Sequence, residues 1–189
     1  MILLSSGVVI ANEEKNVHKL GQITIDADNK TVSFPVDINQ RRGFIEYILV
    51  GGEGKLHEAL LKSSVNILQL NAALKLIRLK KGDAIDITAS WSQFGKDYQQ
   101  PIHEWMKYNE DQVIQAEWVY IGSAFSQNGQ FIAAINEDII SIKDDETALI
   151  AYRGKGYENE NLWSAFYKQI PLIESVTFTI AKKTTKDLN

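Results

Sequence analysis

Apolar and polar residues alternate over much of the chain, and a period of two predicts strands. Gln22-Ile-Thr-Ile-Asp26 and Thr31-Val-Ser-Phe-Pro-Val36 alternate in this way. Asp28 and Asn29 between them are turn residues, so the two runs read as a hairpin. Phe44-Ile-Glu-Tyr-Ile-Leu-Val50 reads as a third strand, Gly51-Gly52-Glu53-Gly54 as a turn, and Lys55-Leu-His-Glu-Ala-Leu-Leu61 as the returning antiparallel strand. Residues 84–91 place Ile85, Ile87, Ala89 and Trp91 on one face, and Val176, Phe178 and Ile180 share a face near the end of the chain. Residues 117–121, 130–135 and 138–142 add shorter strands.

Helical spacing is clearest over residues 67–79, where Ile67, Leu70, Leu74 and Ile77 recur on one side. Asn66 is placed to cap this helix, with Gln69 three residues on. Lys80 and Lys81 suit the negative end of its dipole, and Gly82 suits the position after it. Short helices are predicted over 101–108 and over 145–151. The polar loop 153–161 and the tail 182–189 carry no periodicity. These elements predict an α+β fold. It comprises one domain over residues 12–189 with a largely antiparallel sheet, one main amphipathic helix at about 66–80, and short additional helices.

Composition narrows the function. The chain has 189 residues, 44% of them apolar, which is enough for one core. Its net charge of −4, without a basic block, argues against a dedicated nucleic-acid binder. It has no cysteine, which excludes disulfides, thiolate zinc sites and cysteine-ligated clusters. No apolar run is long enough for a transmembrane helix. Residues 1–11 are apolar and uncharged, and end in Val9-Ile10-Ala11 before the polar Asn12-Glu13-Glu14-Lys15. That pattern fits the end of a secretory leader and predicts a periplasmic or otherwise exported protein. The alternative is a first strand in a cytoplasmic one.

Candidate chemistry concentrates after the glycine-rich turn. With a four-residue turn at 51–54, Tyr47 faces Glu58 and Ile48 faces His57. Glu58 then lies on an apolar face, where its carboxylate needs a donor such as the Tyr47 hydroxyl or a backbone amide. A three-residue turn would set Glu46 opposite Glu58, and like charges directly opposite are unfavourable. The second His-Glu pair, His103-Glu104, could meet the first around a metal, but nothing in the spacing requires it, and neither metal nor cofactor is expected. The glycine turn leads into a strand, so it lacks the helix dipole of a phosphate loop. Nucleophile-elbow and nucleotide-loop motifs are absent.

The order of these features resembles the YdjY-type bacterial domain family. Gly54-Lys55-Leu56-His57-Glu58-Ala59-Leu60 follows an E-Y-x-L-V strand. The helix carries N-A-A-L-x-L-x-x-L-K-x-G from Asn71 to Gly82. Trp118-Val119-Tyr120-Ile121-Gly122-Ser123 comes later, followed by Ala148-Leu149-Ile150 and Ile170-Pro171. The likeness runs from about residue 21 to residue 180. It implies an exported protein and no defined activity, and an iron–sulfur label carried by some members cannot hold for a cysteine-ligated cluster here. It marks Lys55, His57, Glu58, Trp118 and Ser123 as ligand-binding candidates, with catalytic residues undefined. The function expected from these readings is a non-catalytic binding or accessory module of the cell envelope, taking a small ligand or an envelope protein. The alternative is a hydrolase with His57 and Glu58 as an acid–base pair.

Overall fold

In a computed structural model, residues 16–143 and 145–183 are described. The possible leader at 1–11 and most of the polar tail lie outside them. In chain order the elements are β1 (Val17–Leu20), β2 (Ile23–Asp26), β3 (Thr31–Ile38), β4 (Tyr47–Gly51), β5 (Ala59–Ser63), α1 (Ile67–Leu76), β6 (Ala84–Gln93), β7 (Lys96–Pro101), β8 (Met106–Tyr108) and β9 (Asp111–Gln112). They continue with β10 (Trp118–Tyr120), α2 (Ile132–Asn136), β11 (Asp138–Ser141), β12 (Ile150–Tyr152), β13 (Trp163–Ala165) and β14 (Ser175–Lys182). Three 3-10 turns, Leu56–Glu58, Ile102–Trp105 and Glu160–Leu162, complete the order.

The fold is not the expected α+β arrangement around a main helix. Strands hold 43% of the structure and helical turns 14%, and eight strands close into a barrel. The ring runs β3-β14-β6-β10-β12-β11-β4-β5, and a β3–β5 pairing shuts it. β3 makes closure possible by changing neighbours along its length. Its first residues pair with β2, and Asp37 and Ile38 at its end pair with Lys62 and Leu61 of β5. β1 and β2 peel away at one side, and β7 extends β6 as a hairpin. Closure removes the unpaired edges that an open sheet of the same strands would leave.

Alternation then fills the interior, as a barrel of this size requires. Val32, Phe34 and Val36 of β3, Val176, Phe178 and Ile180 of β14, and Ile85, Ile87 and Ala89 of β6 are all buried in one core. Phe34 and Phe178 are cross-strand partners with ring centroids 5.8 Å apart. On the outer face of the same pair, the Ser33 and Thr179 hydroxyls hydrogen-bond at 2.9 Å.

The one long helix is where its period placed it. The Asn66 side chain accepts the Gln69 N–H at 3.0 Å, and Leu70, Ala73 and Leu74 are buried against the barrel's core. It is a lid on a β structure rather than half of a layered fold. Residues 130–135 are expected as strand, but 132–135 fall in α2 instead. Residues 101–108 contain a 3-10 turn and β8, and no helix covers 145–151.

The largest departure concerns β4 and β5. They are parallel, not a hairpin: Tyr47 pairs with Ala59, Leu49 with Leu61 and Val50 with Lys62. Residues 52–58 return outside the barrel, and seven residues can span about 23 Å, more than a five-residue strand needs. Leu56 in this return packs on Tyr47, Val50 and Ala59. β4 is therefore covered on both faces and fully buried, which erases the alternation that would have marked it as a half-buried strand. β11 and β12 repeat the device, parallel and joined by 142–149.

Candidate functional site

The two short returns converge on the outside of β4. Glu46, just before β4, donates its N–H to the Glu58 carbonyl at 2.9 Å, and its own carbonyl accepts the Ile142 N–H at 2.8 Å. That backbone register sets the side chains of Glu58, Glu46 and Lys143 in a row. Lys143 Nζ lies 2.5 Å from Glu46 Oε2. His57 Nε2 lies 2.7 Å from Glu58 Oε1.

Burial raises the Glu46 pKa, but the hydrogen bond and charge of Lys143 outweigh it and hold the carboxyl below its ordinary value. Burial would lower the Lys143 pKa, but Glu46 and the Tyr47 hydroxyl raise it overall. Lys143 therefore stays charged and cancels one of the two acidic groups from behind.

Glu46, His57 and Glu58 open into a cleft of about 410 Å³, with Gln40, Gly43, Phe44 and Asn161 as its other walls. No serine, threonine or cysteine lines it. Its polar groups are two carboxyls, an imidazole and two amides. These suit a ligand that carries a positive charge or several N–H donors.

A second group of charges lies beside Lys143. Lys55 Nζ reaches both Asp138 oxygens, at 2.9 and 2.8 Å, and the Tyr47 hydroxyl at 2.8 Å. The Lys55 and Lys143 ammonium groups lie 4.6 and 5.2 Å from the centre of the Tyr47 ring. Burial pushes the Asp138 carboxyl up despite Lys55. Burial acts against the Lys55 ammonium, yet Asp138 and Tyr47 raise its pKa. With Nζ on both oxygens, the geometry is that of an ion pair.

The expected candidates divide by position. His57 and Glu58 reach the cleft, but from a 3-10 turn rather than a strand, and Glu58 meets His57 rather than Tyr47. The His57 side chain is 76% exposed and that of Glu58 31%, so neither stands on a buried apolar face. Lys55 does not line the cleft and is bound to Asp138. Trp118 is buried edge-on to Tyr152, and its indole Nε1 has no partner among the described residues. The Ser123 hydroxyl donates to the Thr147 carbonyl and accepts the Ala133 N–H at 3.0 Å, which ties a loop to the start of α2. Neither Trp118 nor Ser123 lines this cleft.

His103 sits in another 3-10 turn, where burial lowers its pKa, and it does not line the His57 cleft. Among the described residues no group of three His, Cys, Asp or Glu side chains is arranged to hold a metal ion. The glycine turn does receive an anion, though an internal one: the Glu137 carboxylate accepts the Glu53 N–H at 2.6 Å. A Cβ on Gly51 would lie 2.6 Å from that carboxylate.

The sequence reading missed Glu46, Lys143, Gln40 and Asn161. The signal for Glu46 was present in the three-residue-turn register, which like-charge repulsion argued against. Among the described residues, no helix is long and apolar enough to cross a membrane. Comparison with protein-family models, curated proteins and solved structures returned no match.

Proposed function

We propose that the protein is a non-catalytic binding module of the cell envelope, of the YdjY type, and that it takes a cationic or donor-rich ligand in the Glu46–Glu58 cleft. The observation that carries this reading is the convergence of two carboxyls with the Gln40 and Asn161 amides in an open cleft without a hydroxyl or thiol nucleophile. The envelope location rests on the leader-like residues 1–11 and on the resemblance. The test is titration of isotope-labelled protein with N-acetyl-lysine amide, followed by NMR. Backbone signals of Glu46, Glu58 and Asn161 should move and saturate, and Glu58→Gln should weaken the effect. If a large excess of the cation leaves all three unmoved, this reading is wrong.

One observation favours a second reading. Two carboxyls in one cleft can act as acid and base, as paired carboxylates do in acid-dependent hydrolysis. This reading moves the hydrolase hypothesis from His57–Glu58 to Glu46–Glu58. Hydrolysis of model peptides and glycosides that Glu46→Gln abolishes would support it over the binding module.

A further inference from the structure

The hairpin that leads into α2 carries chemistry of its own. Phe125 and Phe131 pair across an isolated bridge, with ring centroids 5.1 Å apart. Between them Ser126-Gln127-Asn128-Gly129-Gln130 turns the chain. Ser126 closes this turn. Its N–H donates to the Gln130 carbonyl at 2.8 Å, and its own carbonyl accepts the Gly129 N–H at 2.9 Å. Asn128 and Gly129 are both exposed.

Asn128 is the one asparagine in the chain that is followed by glycine. That neighbour decides what the side-chain amide can do. The backbone nitrogen of the following residue can attack the asparagine Cγ and close a cyclic imide. A side chain on that residue crowds the attack and narrows the backbone angles that permit it, and glycine removes both limits. Gly129 has a φ of 79°, and nothing lies within 4 Å of the place a Cβ would take.

The Asn128 side chain is polarised for this attack. The Ser126 hydroxyl donates to Asn128 Oδ1, which makes Cγ more electrophilic and meets the negative charge that grows on Oδ1 as the ring closes. Asn128 Nδ2 donates to Gln130 Oε1 at 2.9 Å. The Gly129 N–H must leave the Ser126 carbonyl before its nitrogen reacts, and a single bond in an exposed turn opens far more easily than one in the barrel sheet. Other asparagines are held by the fold. Asn39 donates to the Leu56 and Ala59 carbonyls at 2.6 and 2.7 Å, and the buried Asn71 accepts the Tyr120 hydroxyl at 2.6 Å.

We propose that Asn128-Gly129 is a site of spontaneous deamidation in the folded protein. Base removes the Gly129 amide proton, the nitrogen bonds to Asn128 Cγ, and the Cγ–Nδ2 bond breaks as ammonia leaves. Water then opens the imide. Cleavage between Cγ and the Gly129 nitrogen gives aspartate. Cleavage between that nitrogen and the Asn128 backbone carbonyl gives isoaspartate. In sum one water enters and one ammonia departs, with nothing oxidised or reduced. Either product adds a negative charge to the turn. Isoaspartate also adds a methylene to the backbone, which takes the Gly129 N–H out of register with the Ser126 carbonyl.

The test is incubation of the full chain in warm, mildly alkaline buffer, followed by peptide mapping with mass spectrometry and by isoaspartate-specific carboxyl methylation. The peptide that contains residue 128 should gain the mass of an NH-to-O exchange and accept the methyl group, while the peptides that contain Asn39 and Asn71 keep their amides. The folded rate should lie within about tenfold of the rate in the urea-unfolded chain, the cost of opening one exposed turn bond. Asn128→Gln should remove both signals. A folded chain that keeps the Asn128 amide, whether or not the unfolded chain loses it, would overturn the inference. So would a mass gain spread equally over the other asparagines.

Discussion

The backbone N–H of Glu46 donates to the carbonyl of Glu58 at 2.9 Å, and this one bond brings two like-charged side chains into a common cleft. Like charges at such positions repel. Here the repulsion is relieved by Lys143 on Glu46 and by the His57 imidazole against Glu58. The parallel return through 52–58 creates the arrangement.

Removing Lys143 should expose that repulsion. The Lys143–Glu46 pair is about three-quarters buried, between a surface pair and a buried one. Lys143→Met should cost about 1–3 kcal/mol. Adding Glu46→Gln should recover part of the loss, because the uncompensated charge is gone. Urea denaturation of the single and double variants measures both effects, and a double variant no more stable than Lys143→Met would contradict the pairing.

Asp138 is fully buried and its carboxylate is met by Lys55. Lys55→Met should therefore leave a buried carboxylate without its cation, at a cost of about 3–5 kcal/mol. Lys55→Met with Asp138→Leu should be more stable than Lys55→Met alone. The comparison of unfolding midpoints separates the stranded charge from lost packing.

The acid limb of stability follows from Glu46. Its folded pKa lies below the ordinary value of 4.5, so its contribution is complete above that value and is lost as pH falls through the lowered one. Asp138 has the opposite sign. Its raised pKa favours folding below the ordinary value of 3.8, and that advantage is lost as pH rises through the folded value. Glu46→Gln should flatten the fall in stability between about pH 5 and pH 2. An unchanged slope would show that Glu46 is not held ionised by its neighbours.

Gly51 abuts Glu137, which itself adopts a left-handed φ of 58°. Gly51→Ala would push its Cβ against the Glu137 carboxylate and also its Cβ, 2.8 Å away. The turn must shift, and a loss of about 1–3 kcal/mol in thermal or urea unfolding is expected. A neutral effect would mean the carboxylate is not seated in the turn.

Much of the local structure was legible in the chain. The β2–β3 hairpin, the face of β14 and the capped helix at Asn66 all follow from period and turn chemistry. Barrel closure was not, because it rests on Asp37 and Ile38 meeting Lys62 and Leu61, a pairing that no local period encodes. Strands of three residues such as β10 and β12 are too short to show alternation. β4 hid its alternation by being covered on both sides. The site was half legible: His57 and Glu58 stood out as rare, adjacent ionisable groups. Glu46 and Lys143 join them only through the parallel register and the second return.

The most direct test is an NMR titration of the side-chain carboxyl signals of Glu46 and Glu58, with and without N-acetyl-lysine amide. Glu46 should titrate below its ordinary value, its midpoint should change in Glu58→Gln, and the cation should move both carboxyl signals. Titration of Glu46 at its ordinary value, with neither carboxyl signal moved by the cation, would contradict both the charge-compensated cleft and its proposed role.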